Sequence, residues 1–354
     1  MCDRHDHWTK PEFKSLDLTR RSLLKAATAA TITMAVSPTL FGGHAHAADA
    51  GAVKSTHGNG FCNLNLFLAH AEQLAREDGL EIEFVIAPSF SDQVTMIGSG
   101  MVDVGVMPYT SFLALYDAGA PVKVVAGGGI QGCMLVAQPG LDTPEKLKGK
   151  TLGTFQLDTL EVMPYDWLKA KDIPFSDITV RYLGSMAEAV EGFMAGAIDM
   201  VCVIEPYGTA LLNDKPGSVL LSDGIDIYGK NYTDCILASR AELMMENPAT
   251  LKALIKAMMK AQAMAEADIE ATLGKVVGTY YKTSLENARI AQRAQPSVID
   301  MRDQKTFILE RTDSLIEMGY IKKKPTDDAI DWTLLEQVIA ENPDLYASLK
   351  MKAA

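Results

Sequence analysis

Two stretches of the chain follow one script of polar and apolar positions. Gly100-Met101-Val102-Asp103-Val104-Gly105-Val106-Met107-Pro108-Tyr109 returns as Gly196-Ala197-Ile198-Asp199-Met200-Val201-Cys202-Val203-Ile204-Glu205-Pro206-Tyr207, two residues longer between Asp and Pro. In both, a helical run ends at Gly, Asp makes a turn, an apolar run of strand length follows, and Pro-Tyr closes it. Each reads as a helix feeding a buried parallel strand whose carboxyl end opens onto a loop. Two such units predict two α/β lobes facing each other, an arrangement that can enclose a small molecule.

The surrounding pattern extends this picture. Residues 64–76 carry helical periodicity, 81–87 alternate like a strand, and Ser91 is placed to cap the helix entering the first repeat. Residues 111–117 read as helix, and 122–126 and 133–138 as strands. The alternation restarts after Pro139 with a short helix opened by Thr143-Pro144-Glu145, a strand at 150–154, a helix at 159–171 and a strand at 178–183. Ser185 with Glu188 forms a capping box for the helix of the second repeat. Strands at 219–221 and 235–238 then return the chain to the first lobe, and helical periodicity fills the remainder, with Met244, Met245, Met258, Met259 and Met264 read as packing residues. Alternating strand and helix predict α/β architecture with mainly parallel sheets. Lobe I is expected at 48–137 plus 238–354 with the C-terminal helices, and lobe II at 138–237.

The N-terminus alters the picture of the mature protein. Thr19-Arg20-Arg21-Ser22-Leu23-Leu24-Lys25 precedes a weakly apolar Ala/Thr-rich run, and Ala45-His46-Ala47 offers small residues for cleavage. This is the layout of a twin-arginine export signal, residues 1–47, and places the mature protein in the periplasm. The run is too short to span a bilayer. The leader holds six basic and four acidic residues, so its removal takes the net charge from −12 to −14. So acidic a chain is not expected to bind nucleic acid or an anionic membrane.

Candidate chemistry is sparse. Of the six histidines only His57 and His70 lie beyond the leader, and Cys62, Cys133, Cys202 and Cys235 fit no zinc-binding spacing. Gly127 to Gly132 contains a formal GxGxxG, but the next residues read as a strand rather than the helix a pyrophosphate needs. Gly149-Lys150-Thr151 imitates a phosphate loop whose first Gly would fall on Pro144. No GxSxG elbow occurs. These features point to binding rather than catalysis, with no cofactor.

The repeat, the segment Leu141-Asp142-Thr143-Pro144-Glu145-Lys146-Leu147-Lys148-Gly149-Lys150-Thr151, and Met194-Ala195-Gly196-Ala197-Ile198-Asp199 followed by Glu205-Pro206-Tyr207 together resemble ABC-importer substrate-binding proteins of the nitrate/sulfonate/taurine and thiamine-precursor (NMT1-like) group. The resemblance implies a type II periplasmic binding fold, two lobes joined by two crossing strands. It also implies a monomer that delivers a small solute to an inner-membrane ABC permease with its cytoplasmic ATPase. An enzyme on the same fold is the alternative, as fungal pyrimidine-synthesising relatives are enzymes, although their cysteine-rich motif is absent here.

Ligands of open α/β lobes lie beyond the carboxyl ends of strands. The loops meeting that description nominate His57, Asn59, Phe61, Cys62, Asn63, Phe90, Ser91, Asp92, Tyr109, Thr110, Ser111, Gln156, Asp158, Thr159, Ser185, Glu205 and Tyr207. None is Lys or Arg. Hydroxyls and helix N-termini could hold a nitrate or sulfonate, but Asp92, Asp158 and Glu205 would oppose it. A neutral or protonated nitrogen compound would use those carboxylates as acceptors and stack on the aromatic rings. Cys62 with His57 forms a further candidate pair for a soft metal, and a metal-capture or sensory receptor is a third function class.

Overall fold

A computed structural model describes residues 51–353; the expected leader, 1–47, lies outside the described residues. Ten strands run in chain order as β1 (Gly51–His57), β2 (Leu80–Phe84), β3 (Val104–Pro108), β4 (Val122–Ile130), β5 (Cys133–Ala137), β6 (Thr151–Thr154), β7 (Thr179–Tyr182), β8 (Met200–Ile204), β9 (Val219–Ser222) and β10 (Thr233–Arg240) among those residues. They form two five-stranded sheets, ordered β2-β1-β3-β10-β4 and β7-β6-β8-β5-β9. The sheets match position for position, and the two copies of the sequence repeat, β3 and β8, occupy the centre of each. Both central strands are buried along their whole length, which is why their sequences are continuously apolar.

The turn before each central strand explains the rest of the repeat. Gly100 and Gly196 have φ of 79° and 73°, the left-handed conformation that ends a helix and that Gly adopts without a Cβ clash. Three residues later, Asp103 Oδ2 accepts from Lys54 N at 2.9 Å, and Asp199 Oδ2 accepts from Thr151 N at 2.9 Å. The same carboxylate thus ties the same neighbouring strand in both lobes. These two aspartates are structural.

Pairing departs from the expected mainly parallel arrangement in one respect. β1 and β6 pair in parallel with both neighbours, but β10 runs antiparallel between β3 and β4, and β5 antiparallel between β8 and β9. The antiparallel strand in each sheet is the one that arrives from the other lobe. The chain leaves the first sheet through Gln131 and Gly132, both at positive φ, and returns between Gly229 and Thr233. The sheets therefore put Cys133–Ala137 in the second lobe and residues 233–237 in the first, the reverse of the expected boundaries. Val219–Ser222 likewise belongs to the second sheet and does not return the chain.

Helices α1 (Leu64–Ala71), α2 (Phe90–Ser99), α3 (Tyr109–Asp117), α4 (Thr159–Ala170), α5 (Met186–Met194) and α6 (Tyr207–Asp214) connect the strands. α1 stops short of the expected residue 76 because Gln73 takes a φ of 52° and Leu74 N turns back to Ala69 O. The C-terminal helices cover the first sheet. Pro248–Ala267 packs against α1 with Met258 and Met259 fully buried, as packing residues rather than ligands. On the opposite face Ile308 and Leu315 join Phe112 and Val124, and Val162 of α4 enters the same core from the second lobe. No described helix is long and apolar enough to cross a membrane.

Candidate functional site

The carboxyl ends of β1, β3, β6 and β8 converge on a cavity of about 200 Å³ between the lobes. On the first lobe, His57 ends β1 and leads into Gly58-Asn59-Gly60, and a single 3-10 turn, Phe61–Asn63, precedes α1. Ser89, Phe90 and Gln93 enter from the start of α2. On the second lobe, Phe155 and Asp158 lie between β6 and α4, Ser185 and Met186 open α5, and Ile204 ends β8. Three helices thus begin at this cavity, each with a side chain on its own first turn. Ser89 accepts from Asp92 N, Asp158 from Leu160 N and Ser185 from Glu188 N. The Ser185/Glu188 box closes with Gly184 N donating to Glu188 Oε2 at 2.8 Å. At α2 the cap is Ser89, and not the expected Ser91.

The floor of the cavity is a cluster of buried acids and thiols. Thr159 Oγ1 lies 3.0 Å from Asp158 Oδ1 and 2.6 Å from Asp234 Oδ1, so one hydroxyl proton bridges two carboxyl groups. Gln295 Nε2 donates to Asp234 Oδ2 at 2.8 Å and Cys235 Sγ to the same oxygen at 3.0 Å, while Cys133 Sγ sits 3.6 Å from Oδ1. Burial, followed by the adjacent Asp234, pushes Asp158 up to about 8. Burial also raises Asp234 and the thiols of Cys62, Cys133 and Cys235. At neutral pH Asp158 keeps its proton.

His57 is held by packing. Its Nδ1–H donates to Gly58 O at 3.0 Å, and its ring meets Phe67 and Phe84 edge-on at 4.8 and 4.7 Å. Burial lowers its pKa and so favours the neutral imidazole. Among the described residues the titratable side chains that gather around Cys62 are Asp234 and Cys235, whereas the His57 ring is held by Gly58, Phe67 and Phe84. Asn63 donates through Nδ2 to Gly60 O at 3.3 Å and to Cys62 Sγ at 3.4 Å, whereas its buried Oδ1 has no partner. Phe90 and Phe155 meet across the lobes with ring centroids 6.0 Å apart and ring planes tilted by 59°.

Of the residues nominated from sequence, His57, Asn59, Cys62, Asn63, Phe90, Asp158 and Ser185 line this cavity. The others do not, for identifiable reasons. Phe61 stacks on Tyr281 at 4.3 Å in the core, and Tyr109 packs edge-on against Phe307. Thr110 and Ser111 both donate to Leu157 O, at 2.9 and 2.8 Å, joining the lobes. Thr159 lies behind Asp158 as the carboxyl bridge. Glu205 turns back on its own helix, accepting from Thr209 N at 2.9 Å and Thr209 Oγ1 at 2.7 Å. Ser91, Asp92 and Gln156 are exposed outside the cavity, and Tyr207 packs against the second-lobe core. The sequence reading missed Gln93, Asp234 and Cys235. The available signal was one acid, Asp234, directly before the apolar run Cys235-Ile236-Leu237-Ala238 of β10.

The family model described as the NMT1-like family matches residues 57–276. The chain belongs to the NMT1-like family. The match begins at His57, the residue that ends β1 at the cavity, and runs through both lobe crossings. Comparison with curated sequences gives no match. Among solved structures, this NMT1-like chain is similar to the ligand-binding component of an ABC-type import system from Staphylococcus aureus with zinc bound. That likeness has a TM-score of 0.72 at 16% identity and covers 81% of this chain and 99% of that one. The periplasmic aliphatic sulphonate binding protein SsuA of Escherichia coli gives 0.67 at 20% identity, covering 80% and 92%. The periplasmic nitrate-binding protein NrtA of Synechocystis PCC 6803 gives 0.72 at 15%, covering 85% and 91%. These likenesses establish the type II periplasmic binding fold.

Proposed function

We propose that this NMT1-like protein is the solute-binding component of an ABC importer, a binder and not a catalyst. It is exported through the twin-arginine signal to the periplasm. As a monomer it captures one small organic solute between its lobes and presents it to an inner-membrane permease driven by a cytoplasmic ATPase. The observation that carries this reading is the cavity itself, walled by strand ends of both lobes and bridged by two crossing segments. That geometry suits a pocket that encloses and releases a ligand. The solved structures of import-system binding components, of a sulphonate-binding and of a nitrate-binding protein support the same class.

The lining favours a neutral or protonated nitrogen-containing solute, such as a pyrimidine. No Lys or Arg is among the cavity residues, Asp158 and Asp234 supply the floor, and Phe90 and Phe155 supply faces for a flat ring. The three helix N-termini support a second reading, an oxyanion such as a sulfonate or taurine. Native mass spectrometry of the protein purified from its own periplasm decides between them. A stoichiometric organic nitrogen compound released on denaturation is the expected result. A sulfonate establishes the second reading, and measurable turnover of the released compound overturns the binding-protein assignment.

A further inference from the structure

The donors of the thiol and carboxyl cluster on the cavity floor converge. Cys62 Sγ, Cys235 Sγ and an Asp234 carboxylate oxygen all lie within 4.8 Å of one another, and all three residues face the cavity. Tetrahedral zinc, with bonds of about 2.3 Å to sulfur and about 2.0 Å to oxygen, holds such donors roughly 3.5 to 3.8 Å apart, so the set needs shifts of about 1 Å or less, with Cys235 Sγ already 3.0 Å from Asp234 Oδ2. We propose that Cys62, Asp234 and Cys235 hold one zinc ion at the cavity floor, with its fourth coordination position open to the solute cavity.

The surroundings are those of a supported ligand set. Thr159 Oγ1 and Gln295 Nε2 fix the Asp234 carboxylate from behind, as outer-sphere partners of a metal ligand do. Asn63 Nδ2 points at Cys62 Sγ from 3.4 Å, a donor suited to a thiolate. Independently of the three ligands, Asn63 Oδ1 is buried beside the same cavity without a partner, and an additional group there would satisfy it.

Charge favours a divalent metal. Zn²⁺ displaces the two thiol protons, and two thiolates with one carboxylate then leave a net charge of −1. That equals the charge of the metal-free cluster with Asp234 ionised, so zinc adds no uncompensated charge to a buried site. Monovalent copper would leave −2. Calcium and magnesium require oxygen-rich shells that this cluster lacks. Three protein ligands and an open position are the arrangement of zinc sites that take an exchangeable ligand.

The test reads metal binding on the isolated full-length chain without solute, so it stands or falls separately from the transport reading. The reduced protein is titrated with Co²⁺ as a spectroscopic substitute, and then with Zn²⁺. One equivalent of Co²⁺ with a thiolate-to-cobalt charge-transfer band, displaced by Zn²⁺, is the expected result. Cys62→Ser and Cys235→Ser should each weaken binding at least 10–100-fold, the cost of losing even an outer-sphere partner. The four histidines of residues 1–47 give no thiolate band, and binding through Cys2 would survive in the double variant. On the unmodified chain, zinc should slow alkylation of Cys62 and Cys235 while leaving Cys133 and Cys202 unchanged, a reading independent of how the variants fold. No thiolate band at one equivalent, a band that persists in the double variant, or zinc-indifferent alkylation of Cys62 and Cys235 would each overturn the proposal.

Discussion

Replacing Asp158 by Asn should flatten the dependence of stability on pH. In the folded protein burial and Asp234 push this carboxyl from an ordinary value of 3.8 to about 8. Between pH 4 and pH 8 the folded chain therefore retains a proton that the unfolded chain has released, and stability falls as pH rises through that window. At 1.36 kcal/mol per pH unit the full span amounts to about 6 kcal/mol, comparable to the whole stability of many domains. Asn retains an oxygen to accept from Leu160 N, which Asp158 Oδ1 now does at 3.0 Å, and it cannot ionise. Urea denaturation of both proteins at pH 5, 6, 7 and 8 measures the difference. Glu161, Glu205 and Asp234 are also raised, each mainly by burial, and tilt both curves the same way, so the gap between the curves isolates Asp158. Asp300 is buried too, but Arg302 holds it below its ordinary value, and its contribution is lost only below the window tested. The variant should gain several kcal/mol relative to the native protein between pH 5 and pH 8. Parallel curves would refute the reasoning.

Other substitutions probe the remaining assignments. Gly129→Ala places a Cβ 2.5 Å from Cys62 Cβ and 2.7 Å from its Cα, so backbone must move, and urea denaturation should show a loss of about 1–3 kcal/mol. Glu205→Gln should cost about 1–3 kcal/mol, because one oxygen replaces the two that accept from Thr209 N and Thr209 Oγ1, while solute affinity stays unchanged. Thr110→Val with Ser111→Ala removes both donors to Leu157 O. It should lower stability by about 1–3 kcal/mol, and small-angle scattering should show a larger radius of gyration for the solute-free protein. Phe90→Ala removes half of the inter-lobe ring pair, and calorimetry should show solute affinity lower by about 3–10-fold if the solute is a flat ring.

The fold was legible where its causes are local. Gly100 and Asp103, and Gly196 and Asp199, repeat in sequence because the same left-handed turn and the same strand-tying bond repeat in space. Sheet membership was not legible, since nothing within Cys133–Ala137 or Thr233–Arg240 tells which lobe each pairs with; that depends on partners such as Met200–Ile204 and Val104–Pro108. The site divided in the same way. Strand ends and helix starts located the correct loops, but residue type does not reveal where a side chain points. Phe61 and Tyr109 took rings in their loops into the core, and Thr110 and Ser111 turned their hydroxyls to a carbonyl of the other lobe. Asp234 was missed because its partners, Thr159 and Gln295, lie 75 and 61 residues away. The glycine run resembling a nucleotide loop has a packing cause. At Gly127 a Cβ would collide with Val298 O, and at Gly129 it would strike the turn that carries Cys62.

The position of the floor gives it leverage over the lobes. Asp234 and Cys235 follow Thr233 at the start of β10, the strand that returns the chain from the second lobe, and Thr159 at the start of α4 reaches Asp234 across the boundary. Phe61 N donates to Glu205 O at 3.1 Å and Phe90 N to Gly184 O at 3.4 Å, so further backbone bonds join the lobes around the same cavity. A solute or ion contacting Asp158 and Asp234 therefore touches both lobes and a crossing strand at once. Separation of the lobes would strip away part of that contact, and a ligand shifts an equilibrium only by its differential contact with the two states. Acids and thiols buried at a lobe boundary are costly to leave incompletely paired. Their concentration at Asp158, Asp234, Cys62 and Cys235 puts that cost where a bound group can relieve it in the closed form.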